Sequence, residues 1–161
     1  MQTFLPYPDF ERSMRVLDYR RLGKQRLEAR LLLETLRGER RGWARHPATL
    51  MWQGYENALT AYMNAAIREW VRRGYRNSLP IVKLRGPVVM PPWLGKRAFH
   101  ASHRSNLLRK DPAWYGQFGW KESPDLPYVW PVAKAGAVGR AARPPNSNSN
   151  SGVLGPSGVT Y

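Results

Sequence analysis

The sequence has 161 residues, and its 26 Lys and Arg outnumber its 11 Asp and Glu, which gives a formal charge of +15. This length predicts one compact domain, and the absence of Cys excludes disulfide frameworks, cysteine zinc sites and thiol nucleophiles. The three His have no second strong ligand at a metal-binding spacing, so we predict neither a metal nor a cofactor. So large a positive charge indicates an acidic partner, most often a nucleic acid.

The first two helices are predicted within residues 9–38. Asp9 or Ser13 can begin a short helix, and Asp18 is a good N-cap for a longer one that runs to about Leu36 and ends at Gly38. The apolar residues of the longer helix share one stripe when they are placed at 100° intervals. They are Leu22, Ala29, Leu32, Leu33 and Leu36.

A second long helix is predicted from about Pro47 or Ala48 to Arg73, because Pro47 suits a first turn and Gly74 suits a C-terminal cap. Its apolar residues recur with the helical spacing of i, i+3 and i+4. They are Met51, Tyr55, Leu59, Tyr62, Ala66 and Trp70.

Residues 75–95 are rich in Pro and are expected to be irregular. A third long helix is predicted from about Lys96 to Arg109, and it ends before Pro112 because the residue preceding a proline disfavours helix. The aromatic residues 114–130 are expected to form a loop. The predicted fold class is therefore mostly α, a compact single domain of three main helices with little or no sheet.

Residues 133–161 contain no acidic residue and are rich in Gly, Pro, Asn and Ser. Such a stretch buries too little apolar surface to offset its ordering entropy, so we predict a disordered basic tail after a helical domain of residues 1–132. Only three of the basic residues lie in this tail, so the domain itself carries +12. The chain has no apolar window of 18 residues and no signal peptide at its start, so we expect a cytoplasmic, nucleoid-associated monomer without membrane contact.

Seven cations lie within 19 residues around the start of the helix that Asp18 caps. Guanidinium groups pair with phosphate through two hydrogen bonds, so the excess of Arg over Lys favours contact with a phosphate backbone, although a solvated face has the same composition. The cations are Arg12, Arg15, Arg20, Arg21, Lys24, Arg26 and Arg30. Glu28 is the carboxylate on this face, and it is either an ion-pair partner of Lys24 or an acid–base group among phosphate-binding cations.

Two further clusters contain candidate functional residues. His100, His103 and Arg104 combine several hydrogen-bond donors near the start of the third helix, where they either contact DNA or form a polar surface. The aromatic and Gly residues 114–120 are either a stacking platform for bases or a plug over the helical core.

Four short motifs, taken in their order along the chain, resemble the motifs of the pyrimidine-dimer DNA glycosylase/AP lyase family of ultraviolet-repair endonucleases. The resemblance covers about residues 1–120, and each motif is weak by itself. The motifs are Tyr55-Glu56-Asn57-Ala58-Leu59, Arg72-Arg73-Gly74-Tyr75, His100-Ala101-Ser102 and Asp111-Pro112-Ala113-Trp114-Tyr115.

The resemblance implies a metal-free reaction on double-stranded DNA. The α-amine of the first residue attacks the deoxyribose C1′ at a pyrimidine dimer or another modified pyrimidine and expels the base. A Schiff base forms, and β-elimination with one Glu as the acid–base partner then cuts the strand. The amine would belong to Met1, because a bulky Gln2 usually prevents removal of the initiator Met.

The resemblance permits two alignments of the basic helix. Matching Tyr19-Arg20 places Arg21 at the position of the catalytic Glu, whereas the alignment that also fits Leu17-Asp18 and Leu22 places Glu28 there, and we prefer the second. The resemblance further implies phosphate binding by Arg20, Arg21, Lys24 and Arg26, and lesion recognition by Trp114 and Tyr115. The alternatives are a non-catalytic double-stranded DNA-binding protein on the same scaffold, and RNA binding through the aromatic segment.

Overall fold

The computed structural model describes residues 1–131, and Met1–Trp130 form one compact unit. This part of the chain is helical and contains no β-strand, which confirms the predicted fold class. The helices are α1 (Phe10–Val16), α2 (Tyr19–Leu36), α3 (Pro47–Leu50), α4 (Glu56–Arg72), α5 (Arg97–Lys110) and α6 (Pro112–Tyr115). The predicted tail lies outside the described residues, so its disorder stays a prediction.

The two predicted N-caps begin α1 and α2. The Asp9 carboxylate accepts a hydrogen bond of 2.8 Å from the backbone N–H of Arg12, and Asp18 accepts one of 3.4 Å from that of Arg21. Four residues of the predicted stripe are buried, and α2 packs most extensively against α4. These residues are Leu22, Ala29, Leu32 and Leu33.

The prediction of one continuous helix from Pro47 to Arg73 is wrong. The chain forms the short helix α3, turns through residues 51–54, and begins α4 at Glu56. Gly54 has a φ of +86°, a left-handed conformation that interrupts a right-handed helix and that side chains rarely adopt. The apolar spacing continues across the break because Met51 is buried on the same side of the core.

The third predicted helix corresponds to α5, which begins and ends within one residue of the expected bounds. The prediction of a loop over residues 114–130 is wrong for residues 114–118, which belong to α6 and to a 3-10 turn. Asp111 caps α6, because its carboxylate accepts a hydrogen bond of 3.1 Å from the backbone N–H of Trp114. Residues 75–95 are irregular, as predicted, although Leu79 and Trp93 bury their side chains.

Candidate active site

A cavity of about 360 Å³ lies beside the N-terminus, between one face of α2 and the C-terminal end of α5. Four of its lining residues are cations, namely Arg20, Arg21, Lys24 and Lys110. Glu28 is the carboxylate among the lining residues, and we call this space the cationic cavity. Its remaining lining residues are Met1, Gln2, Phe4, Gln25 and Tyr128.

Glu28 makes two contacts at the wall of the cationic cavity. Its Oε2 lies 3.4 Å from Lys24 Nζ, and its Oε1 accepts a hydrogen bond of 3.1 Å from the backbone N–H of Gln2. The Lys24 side chain is 69% exposed, although that of Glu28 is only 16% exposed, so water screens the ammonium group and the ion pair contributes little to stability. The expected ion pair is therefore present, and the same carboxylate also binds the backbone next to residue 1.

Met1, the first residue of the sequence, lies at the same wall. Met1 lines the cationic cavity, and its Cα is one peptide unit, about 3.8 Å, from the Cα of Gln2. Burial lowers the pKa of His46; the positive N-terminus lowers it further, while Glu28 raises it. His46 is therefore close enough to both groups to interact with them electrostatically, and its Nδ1 caps α3 by accepting a hydrogen bond of 3.0 Å from Ala48 N.

Three of the four predicted phosphate-binding residues line the cationic cavity. Arg20 is exposed, whereas Arg21 is half-buried and donates to Asp18 Oδ1 over 3.2 Å. Arg26 lies elsewhere, between α2 and α4, where it donates to Asn77 Oδ1 over 2.6 Å and its guanidinium carbon is 4.3 Å from the ring centre of Trp70. Burial lowers the pKa of Arg26, and its side chain is not among those that line the cavity.

The structure places His100, His103 and Arg104 against residues 2–6, which we call the N-terminal segment, and outside the cationic cavity. His103 Nδ1 accepts a hydrogen bond of 2.9 Å from Leu5 N, and His100 Nδ1 donates one of 2.8 Å to Leu5 O. Arg104 donates to Pro6 O over 2.7 Å. Both imidazoles are buried and all three residues bind the protein's own backbone, and contact of this cluster with DNA stays a prediction.

Side chains of α2 and α4 complete the grip on the N-terminal segment. Gln25 Oε1 accepts a hydrogen bond of 2.9 Å from Phe4 N, and the Tyr62 hydroxyl donates one of 2.8 Å to Phe4 O. Together with Glu28, which accepts from Gln2 N, they bind the backbone at residues 2 and 4. We call the six gripping residues the N-terminal clamp. They are Gln25, Glu28, Tyr62, His100, His103 and Arg104.

Trp114 and Tyr115 lie outside the cationic cavity, at the junction of α1 and α2. Trp114 is 37% exposed and its indole N–H donates to Val16 O over 2.8 Å, whereas Tyr115 is fully buried and its hydroxyl donates to Asp18. Burial opposes ionisation of Asp18, but the hydrogen bonds from Tyr115 and Arg21 outweigh it and lower the pKa of that carboxyl. The buried Tyr115 thus fastens the start of α2 and offers no surface for a base.

Sequence reasoning missed several residues of this site. Gln25 is a polar residue on the buried side of α2. A buried amide needs hydrogen-bond partners, and this requirement was the signal that could have identified it. Lys110 was recognised only as one of the hydrogen-bond donors of the third helix, together with His100 and Arg104, and not as a lining residue of this cavity. No local pattern points to Tyr128, which reaches the cavity from the irregular residues after α6, where burial raises its pKa to about 12.

Comparison with known families gives a match over the first part of the chain. A family model described as pyrimidine dimer DNA glycosylase matches residues 1–82, just over half of the chain. The chain belongs to the pyrimidine dimer DNA glycosylase family. The match includes Met1 and Glu28 but stops before α5, and family membership implies a glycosylase whose substrate is DNA. No curated protein and no solved structure matches the chain.

Within residues 1–131, no group of three or more His, Cys, Asp or Glu has the arrangement of a metal site. Over the same range, the helices are too short or too polar to cross a membrane.

Proposed function

We propose that this chain is a DNA glycosylase with AP lyase activity, acting on pyrimidine dimers or other modified pyrimidines in double-stranded DNA. The α-amine of Met1 is the nucleophile and Glu28 is the acid–base residue. The observation that carries the proposal is the hydrogen bond from Gln2 N to Glu28 Oε1 inside the cationic cavity, because it places the carboxylate beside the first residue of the chain.

The reaction follows from these two groups. The lone pair of the neutral amine attacks C1′, the glycosidic bond breaks, and the base leaves with the bonding electrons and takes up a proton. Opening of the sugar ring then gives an imine between the Met1 nitrogen and C1′. Glu28 removes a proton from C2′, and β-elimination expels the 3′ phosphate. The imine is finally hydrolysed, which releases the amine.

The cations around the pair suit this substrate. Arg20, Lys24 and Lys110 surround the cavity and would contact the phosphates on either side of the sugar, which places C1′ in front of the amine. Their positive charge also stabilises the phosphate that leaves during the elimination. Glu28 keeps its acceptor oxygens inside this cationic environment because Gln2 and Lys24 bind it from two sides.

Borohydride trapping tests the proposal, because reduction converts an imine into a stable covalent link. The full chain is incubated with duplexes that contain an abasic site, a cyclobutane pyrimidine dimer or another modified pyrimidine, and borohydride is added. We expect a covalent complex whose link maps to the nitrogen of Met1, and we expect no complex when a Gly-Ser extension precedes Met1. A chain that forms no adduct with any of these duplexes does not follow the proposed mechanism.

A further inference from the structure

The N-terminal segment is neither helical nor part of a β-sheet within residues 1–131. Backbone groups of such a segment normally pair with another backbone or with water. Here they pair with side chains from three helices: Gln25 and Glu28 on α2, Tyr62 on α4 and His103 on α5. Chain termini are poorly ordered unless other elements tie them down, and this one is tied at successive residues.

The contacts fix the register of the segment. The N–H of Phe4 binds Gln25 and its carbonyl binds Tyr62, while the N–H of Leu5 binds His103 and its carbonyl binds His100. A slip of one residue would move all four of these backbone groups away from the side chains that bind them. Phe4 and Leu5 are buried, so a slip would also expose both of them.

The two histidines of the clamp are neutral and use opposite tautomers. His103 accepts from Leu5 N through Nδ1, so its proton is on Nε2. His100 donates to Leu5 O through Nδ1 and accepts from Gly95 N over 2.9 Å through Nε2. The two rings therefore match the donor and the acceptor of Leu5, which no pair of identical tautomers can do.

We propose that the N-terminal clamp is a positioning device for the α-amine, and that Tyr62, His100 and His103 set the distance from the Met1 nitrogen to Glu28 and to C1′. This inference rests on the proposed function, because it assigns a role to residues that do not touch the substrate. A displacement of 1 Å at a reacting group lowers a rate by about 10²-fold. The clamp acts through the backbone of residues 2–6, one peptide unit from the nucleophile.

Two substitutions test the clamp without removing a group of the cationic cavity. Tyr62→Phe keeps the buried ring and removes the hydroxyl that binds Phe4 O. His103→Ala removes the acceptor for Leu5 N, whereas His103→Asn keeps an acceptor close to the position of Nδ1. We expect Tyr62→Phe and His103→Ala to slow single-turnover imine trapping on an abasic duplex by about 10²-fold. Duplex affinity should stay within about twofold, and His103→Asn should recover most of the rate.

Asn64→Ala is the matched control. Asn64 is also buried on α4 and also grips a backbone, because its amide donates to Val82 O over 2.8 Å and accepts from Val82 N over 3.0 Å. It should lower the melting temperature much as the clamp variants do, yet trap DNA at the wild-type rate. If His103→Ala does not fold, Tyr62→Phe decides the question.

The outcomes separate the two proposals. Slower trapping by the clamp variants alone, with recovery in His103→Asn, supports the inference. Trapping at the wild-type rate by folded Tyr62→Phe, or an equal loss in Asn64→Ala, overturns the inference and leaves the proposed function intact. Absence of an adduct in the wild-type protein overturns the proposed function and the inference with it.

Discussion

Glu28 contacts both the backbone N–H of Gln2 and the side chain of Lys24. Replacing it with Gln therefore distinguishes the role of its negative charge from the role of its hydrogen bond. Glu28→Gln keeps an oxygen that can accept from Gln2 N and removes the negative charge. We expect single-turnover cleavage of an abasic duplex to fall by about 10²–10⁴-fold, because the proton on C2′ loses its acceptor. Duplex affinity, measured by fluorescence anisotropy, should be unchanged or higher.

Glu34→Gln is the control for this prediction. Glu34 is on the same helix and is paired with Arg30 over 3.0 Å, but it does not line the cationic cavity. It should bind and cleave DNA as the wild type does. If Glu28→Gln cleaves DNA as fast as Glu34→Gln, Glu28 is an ion-pair partner only.

The buried imidazole of His103 links stability to pH. Burial, and to a lesser extent His100, lowers the pKa of His103 to about 3, whereas an unfolded His titrates near 6.5. Between these values the unfolded chain binds the proton more readily, so stability decreases as the pH falls below about 6.5. By pH 5 the loss is about 2 kcal/mol for this group.

Urea unfolding at pH 7 and pH 5 measures this loss. His103→Asn cannot take up the proton, so its stability should depend less steeply on pH over this range. His100 remains in the variant, and burial lowers its pKa as well, so part of the dependence should persist. Carboxylates such as Glu69 and Glu122 have lowered pKa values and lose stabilisation only below about pH 4.5. Equal pH dependence in both proteins would show that His103 does not carry the effect.

At the scale of elements, Gly23 permits the close approach of α2 and α4. A Cβ at this position would lie 3.0 Å from Trp70 Cζ3 and 3.1 Å from Cη2. The indole cannot move freely, because its ring centre is 5.4 Å from that of Tyr19 and 4.4 Å from that of Tyr75. The helix packing therefore requires a glycine inside α2, where the sequence showed only a residue of low helix propensity.

Gly23→Ala should lower the free energy of unfolding by about 1 kcal/mol in a urea titration. Overpacking costs about 1–3 kcal/mol and exceeds the gain of about 1 kcal/mol in helix propensity. Gly116→Ala is a suitable control, because Gly116 is exposed, has helical dihedral angles and has no atom within 4 Å of the added Cβ. If Gly23→Ala were more stable than the wild type, the indole of Trp70 would have to move away from the added Cβ at little energetic cost.

The sequence predicted the elements whose signals are local. The N-caps Asp9 and Asp18 and the apolar spacing gave α1 and α2 with correct starts. The break at Gly54 was missed because apolar periodicity reports burial and does not report continuity of the backbone. Glu28 was found for a local reason, as a carboxylate on a basic face, and the structure places it in the cavity.

The N-terminal clamp could not be predicted, because its partners are up to 98 positions apart along the chain. His100 and His103 are polar residues on a helix, and their spacing does not distinguish a surface that binds DNA from a buried grip on a backbone. That distinction depends on which elements pack around α5. In the structure Leu5 and Pro6 lie against this helix, and their backbone groups bind these side chains.

At the scale of the whole molecule, four cations and one carboxylate line the cationic cavity, which therefore has a local excess of positive charge. Burial lowers the pKa of Lys110, and the neighbouring charges of Arg21, Arg109 and Lys24 lower it further. A DNA phosphate would relieve this repulsion, so Lys110 should contribute strongly to binding. We expect Lys110→Met to weaken duplex binding and to reduce the slope of log affinity against log salt by about 1.

Anisotropy titrations between about 50 and 200 mM salt give this slope. Lys83→Met is the control, because Lys83 is an exposed cation that does not line the cavity. It changes the net charge equally but should leave the slope close to that of the wild type. Equal slopes for the two variants would mean that DNA binds through diffuse charge and not through this cavity.

The clamp also determines when the N-terminal segment becomes ordered during synthesis. Leu5 and Pro6 are made before α5 and meet their partners only after His100, His103 and Arg104 have been made. Translation at about 5–20 residues per second separates these events by roughly 5–20 s. In a nascent chain, residues 2–6 are therefore accessible to the cell's processing enzymes before the clamp binds them. Under the proposed function, the speed of folding then competes with modification of the amine in deciding how much of the protein becomes active.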